Sequence, residues 1–275
     1  TFNSVRSASP TTIPPQRNLP IAERIEAETF GLDPLMLERV KQAGHRYEIV
    51  SFLEKHARDG LIEWYDLKQG RPAQMRQPAR PIDPQIQRAI RSAMPEFQGF
   101  FRHQALALDA IRQDRNLVIV TQTASGKTLS YNPAIFEYLL GNPQGHVLYI
   151  FPLNALMMDQ LEKIGELTQA LEKLGVKTTA AHMVGGMNAG ERDAAARACP
   201  NIVVTNPEML NFLLDRADGD WRAFFSDLKL IVVDEVHSYR GIFGVHMTGI
   251  VRRLLITTRR LGSDPRFVIS SATVN

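Results

Sequence analysis

The chain is nearly without cysteine. A single thiol, Cys199, in 275 residues leaves no partner for an internal disulfide and no cysteine set for zinc, a usage that fits a reducing cytoplasm. Long apolar runs are missing too. No stretch approaches the roughly 20 residues that cross a bilayer, so no membrane-spanning helix is expected. The opening TFNSVRSASPTTIPPQRNLP is polar and broken by proline, without the apolar centre of a secretory leader. It lacks an initiator methionine, so the chain is expected to be processed or cut from something longer. Charge imbalance is slight: 32 Lys and Arg against 29 Asp and Glu leave +3, too little to single out nucleic acid as a partner. The seven histidines show no metal-ligand spacing, and no structural metal is expected. Apolar residues are plentiful. At 44% they suffice for one sizeable core, or one core with a small accessory domain.

Residues 1–20, rich in Ser, Thr and Pro, read as a disordered lead. From 21 to 95 the pattern suggests a small accessory region or an arm lying against a main domain. DPLMLERVKQAG begins with an Asp33 cap and Pro34 at the first helical position, and RYEIVSFLEKHARDG reads as a second helix. LIEWYDLK suits a short strand, and GRPAQMRQPARPIDP an extended segment. From residue 96 the pattern changes. The runs NLVIVT, HVLYIF, NIVVTN, LKLIVVD and RFVISSAT alternate with helical stretches, which implies an α/β domain with a parallel sheet flanked by helices. In such sheets ligands bind at the carboxyl ends of the strands. The unusual polar residues lie there: TASGKT, PLNA, TNPE, DEVH and SAT each follow a run.

TQTASGKT resembles a phosphate loop, Gly-x-x-x-x-Gly-Lys-Ser/Thr, with Thr121 in the first glycine position. A strand leads in and a helix leads out, the setting in which backbone N–H groups and a helix N-terminus converge on phosphate. Thr121, Gln122, Thr123, Ala124, Ser125, Gly126, Lys127 and Thr128 therefore form a candidate nucleotide loop. The donors that phosphate needs are the N–H groups from Ala124 to Thr128, which a side chain at position 121 does not remove. Lys127 is expected to reach the β- and γ-phosphates of ATP, and Thr128 to help hold Mg²⁺. Two adjacent carboxylates at a buried strand end are costly without a compensating cation or proton role. Asp234 is therefore expected to bind Mg²⁺ through water, and Glu235 to position and deprotonate the attacking water. The competing readings are an ordinary strand-turn-helix and a solvated helix start.

With TASGKT, DEVH and SAT in that order, residues 96–275 resemble the first RecA-like motor domain of a superfamily 2 helicase of the DEAD/DEAH-box type. The resemblance implies further roles. FFRHQ is similar to the Q motif, with Gln104 on the adenine edge and Phe101 against the base. PLNALMMDQ and VVTNPEML resemble motifs Ia and Ib, which implies nucleic-acid contacts at Pro152, Asn154, Thr205 and Asn206; Gly185 and Gly186 of HMVGGMN would allow a close backbone approach. Ser271 and Thr273 resemble motif III, coupling the two sites with His237 as partner. DEVHSYRGIFGVHMTGIVRRL is most similar to DNA helicases of the mitomycin repair factor type and their RecQ4-like fungal relatives. That implies a 3′-to-5′ ATP-driven motor on single-stranded DNA, in repair or phage defence; an RNA helicase and a non-unwinding nucleic-acid remodelling ATPase are the alternatives. It also implies a second RecA-like lobe with arginine fingers, so the segment ending at Asn275 is expected to bind Mg-nucleotide weakly and hydrolyse little.

Overall fold

A computed structural model describes residues 74–121 and 126–272. The disordered lead, the helices expected from Asp33 to Gly60 and the strand expected at LIEWYDLK lie outside the described residues, as do Gln122 to Ser125 and Thr273. All described residues belong to one compact unit, Pro72–Asn275.

Six strands make one parallel sheet: β1 (Leu117–Val120), β2 (His146–Ile150), β3 (Ala180–Met183), β4 (Ile202–Thr205), β5 (Leu228–Val233) and β6 (Arg266–Ser271), in the spatial order β1-β6-β5-β2-β4-β3. Five of them are the apolar runs of the sequence. The sixth, β3, pairs only with β4, and its AAHM contains no β-branched or aromatic residue to carry a strand signature. The connecting helices are α1 (Pro84–Ala93), α2 (Arg102–Arg112), α3 (Asn132–Gly141), α4 (Asn154–Glu172), α5 (Ala189–Ala198), α6 (Pro207–Leu214), α7 (Arg222–Ser226) and α8 (Gly241–Arg260).

Because successive strand side chains point to opposite faces, each central strand feeds two cores. Val147 and Tyr149 of β2, with Leu230 and Val232 of β5, pack with α1 to α4; Leu148, Ile150, Ile231 and Val233 pack with α6 to α8. Helix α1 lies before residue 96, where the sequence pattern begins the motor domain. Its Ile86, Ala89 and Ile90 nevertheless sit in the first core, and Asp83 caps it by accepting from Gln85 N at 2.8 Å. The same Asp-Pro pairing that signals a helix at Asp33 is present at Asp83 and Pro84.

Strand order also shapes the top of the sheet. β6 lies between β1 and β5, so the carboxyl ends of these three strands form one continuous ledge.

Candidate active site

The ledge is built from backbone outward. Thr121 N donates to Ser271 O at 3.2 Å, extending the β1–β6 pairing into the loop. At the far end of the loop Gly126 adopts φ 72°, ψ 36°, and a Cβ there would meet Gln104 Nε2 at 2.7 Å. Left-handed backbone and a blocked Cβ both demand glycine. A short 3-10 turn, Lys127–Ser130, follows and leads into α3.

Gln104 is 1% exposed, and both ends of its carboxamide are engaged: Oε1 accepts from Phe101 N and Nε2 donates to Gly126 O, each at 2.9 Å. It staples the start of α2 to the phosphate loop. The expected adenine contact would draw on its remaining hydrogen and lone pair. Phe101 is partly exposed and stacks on His103 with ring centroids 6.0 Å apart. Both line an open cavity of about 500 Å³ with Gln74, Arg102 and Leu106. An aromatic wall of this kind suits a flat base.

Lys127 and the acidic pair meet across the sheet. Lys127 Nζ lies 3.4 Å from Glu235 Oε1. Asp234, 8% exposed, has its Oδ1 held by two donors, Glu235 N at 2.8 Å and the Ser270 hydroxyl. The latter contact follows from register. Val233 pairs with Ile269, so the next residues along, Asp234 and Ser270, face each other. Glu235 takes the left-handed conformation at φ 49°, uncommon for a residue with a side chain and a form of strain that clusters at functional sites. That turn sets its carboxylate between Lys127 and His237, whose Nδ1 lies 3.1 Å from Glu235 Oε2 at ion-pair distance but without hydrogen-bond alignment. Thr128 Oγ1 donates to Gln160 Oε1 on α4 at 3.1 Å.

Beneath the loop is a layer of buried polar groups. Tyr149 donates to Asn132 Oδ1 at 2.7 Å, whereas Ser130 Oγ, Asn132 Nδ2 and the Tyr131 and Tyr239 hydroxyls have no aligned hydrogen bond. Burial pushes the Tyr131 phenol well above its ordinary range, and the Asp234 charge pushes it further. Burial, then Asp234, then Glu208 raise Tyr239 in the same way. Orphaned buried polar atoms are rare in folded proteins and call for a ligand, an ion or water.

The expected nucleic-acid residues divide. Asn206 caps α6 by accepting from Met209 N at 2.9 Å and donates from Nδ2 to Asn154 Oδ1 at 3.0 Å, joining the two motifs that carry them. Gly185 and Gly186 lie exposed after β3, Gly186 with φ 96°. Pro152 is buried. Thr205 is also fully buried, and its hydroxyl donates to Met183 O at 2.9 Å, so its side chain ties β4 to β3 instead of facing outward. Likewise Ser271 is buried, and the serine that touches the acidic pair is Ser270, which the sequence did not single out. Gln160 and Tyr131 were also missed. Gln160 stands at the end of a quoted motif, but only packing shows what it meets.

Comparison with known proteins agrees with this geometry. The family model described as DEAD/DEAH box helicase matches residues 101–275. The uncharacterized ATP-dependent helicase YprA of Bacillus subtilis is 32% identical over 82% of this chain and 29% of its own length. The ATP-dependent helicase HRQ1 of Saccharomyces cerevisiae is 36% identical over 65% of this chain and 17% of its own. Among solved structures, the DUF1998 helicase MrfA bound to DNA and AMPPNP superposes with a TM-score of 0.68 at 34% identity, covering 74% of this chain and 28% of that one. The chain thus spans less than a third of the length of these relatives. Among the described residues no helix is long and apolar enough to cross a membrane.

Proposed function

The chain belongs to the DEAD/DEAH box helicase family, and from that membership we propose that it is the ATP-binding lobe of an ATP-dependent DNA helicase or translocase. The observation that carries the reading is the convergence of Lys127, Asp234 and Glu235 on one ledge, with Ser270 holding Asp234 and His237 beside Glu235. DNA is favoured over RNA because the MrfA structures hold DNA. A 3′-to-5′ polarity, a role in repair or defence, a cytoplasmic location and a second RecA-like lobe in the parent protein rest on the family resemblance and on the single cysteine.

The residues suit Mg-ATP. The Asp234 carboxylate and the Thr128 hydroxyl are oxygen donors of the kind hard cations prefer, and they would hold Mg²⁺. Bound Mg²⁺ and ATP supply a charge-neutralised phosphoanhydride. Lys127, now 3.4 Å from Glu235, is the residue that would hold the phosphates of bound nucleotide. Glu235 would then take a proton from the attacking water, with His237 beside its second oxygen. Ser270 holds Asp234 in one rotamer, so the cation's acidic partner needs no reorganisation. Phe101 and His103 receive the base, while Gln104 fixes the loop beside it. Nucleic-acid backbone meets Asn154, Asn206 and the Gly185–Gly186 turn, where short polar groups and helix N-termini suit phosphate.

The test is the ATPase rate of the full-length protein with single-stranded DNA, with single-stranded RNA and with neither. Stimulation by DNA alone, abolished in Glu235→Gln, is the expected result. Stimulation by RNA alone assigns the motor to RNA, and no stimulation by either removes nucleic acid as its direct activator.

A further inference from the structure

Gln160 has no part in the chemistry above, yet it makes the hydrogen bond between the phosphate loop and α4. We propose that it is a positioning residue that links cation binding at Thr128 to nucleic-acid binding at the start of α4. The proposal rests on the ATP and DNA reading of the site.

Three features support it. First, the bond has a defined direction. Gln160 Nε2 donates to Asp159 Oδ2 at 3.1 Å, and Asp159 is itself held by Lys163 at 2.6 Å, so the carboxamide turns its oxygen to Thr128 and can only accept there. A threonine hydroxyl that offers a lone pair to a cation still needs an acceptor for its proton, and Gln160 Oε1 is that acceptor. Second, α4 is anchored along its length as one element: its Met157 and Ile164 are 0% exposed and Leu167 is 3% exposed. Third, Asn154, the first residue of α4, lies six positions or about 9 Å of helix from Gln160. Asn154 is bonded to Asn206 at 3.0 Å, so a nucleic-acid backbone seated on these two N-termini bears directly on α4. One rigid helix therefore carries the acceptor for the metal-side threonine at one point and the nucleic-acid contact at another. Any displacement by one ligand is felt by the other, and the coupling must be reciprocal.

The experiment measures the affinity of the full-length protein for a fluorescent single-stranded DNA with and without Mg-AMPPNP, in the wild type, Gln160→Met and Gln160→Glu. Met fills the same volume without an acceptor, whereas Glu retains one. The ratio of the two affinities is expected to fall about five-fold or more in the Met variant and to stay within about two-fold in the Glu variant, at unchanged DNA affinity without nucleotide. A Met variant with the wild-type ratio overturns the proposal, as does a folded Glu variant that loses the ratio. The Glu variant decides alone if the Met variant does not fold. A wild type whose DNA affinity ignores nucleotide refutes instead the proposed function on which this inference rests.

Discussion

Two polar clusters in this molecule are built on opposite terms. At the end of α2, Arg112 forks onto Glu137 of α3 with two bonds of 2.8 Å and reaches Arg80 O at 2.6 Å; Glu137 accepts from Asp83 N at 2.7 Å, and Asp109 accepts twice from Ala79 N at 2.9 and 3.0 Å. These carboxylates and the guanidinium are matched to the segment 79–83, which they clamp ahead of α1. On the ledge above β1, β6 and β5, by contrast, Lys127 stands 3.4 Å from its carboxylate, His237 is misaligned, and Ser130 and Tyr239 leave hydroxyls unpaired. The first cluster is complete without a ligand. The second leaves groups without aligned partners, as the proposed nucleotide site would require. Local satisfaction, more than charge or burial, separates a structural ion pair from a working site.

That division can be broken or sharpened by substitution. Glu235→Gln is expected to lower DNA-stimulated hydrolysis by about 10²- to 10⁴-fold, the range of general acid–base catalysis. Its thermal midpoint should hardly move, as differential scanning fluorimetry will show. Arg112→Ala is expected to do the reverse. Both side chains of the Arg112–Glu137 pair are 10% exposed, and removing one partner strands the other, at a cost of about 3–5 kcal/mol in urea unfolding. If Arg112→Ala weakens nucleotide binding as much as it weakens the fold, the two clusters are not separate. Lys127→Ala should reduce Mg-nucleotide affinity about 10- to 100-fold by calorimetry, the loss of one or two hydrogen bonds from a charged donor.

The tyrosines supply smaller effects. The folded phenols of Tyr131, Tyr149 and Tyr239 are raised mainly by burial, and that of Tyr138, beside the clamp, is pushed up to about 12. The fold therefore holds these protons more tightly than the unfolded chain, whose tyrosines titrate near pH 10. Their contribution is whole below pH 10 and is lost as pH rises, by about 1.4 kcal/mol per pH unit for each fully shifted group. Urea midpoints at pH 8 and pH 11 measure it. Finally, Tyr149→Phe orphans Asn132 Oδ1 and is expected to cost about 1–3 kcal/mol in urea unfolding, while Tyr239→Phe removes a hydroxyl with no aligned bond and should cost almost nothing. Equal losses would remove the distinction between a bonded and an unbonded phenol.

How much of the fold and the site is legible in the sequence depends on the range of each interaction. Strands β1, β2, β4, β5 and β6 announce themselves as continuous apolar runs; β3, one of the two edge strands, is built from AAHM and does not. The phosphate loop and the acidic pair are readable because their chemistry is carried by neighbouring residues. Thr205 is misjudged in orientation, since nothing local says which way a strand-end hydroxyl turns.

By itself, then, the amino-acid order determined the strand–helix alternation, the place of Gly126, Lys127, Asp234 and Glu235, and the strand ends at which they gather, all through local pattern and backbone chemistry. Tertiary structure alone decided the rest. Strand order set β6 beside β5, and the register of that pair put Ser270 opposite Asp234. Packing of α2 and α4 turned Gln104 into the loop and brought Gln160 to Thr128. Each of those pairs lies far apart along the chain, and only burial of a common core brings them within hydrogen-bond reach.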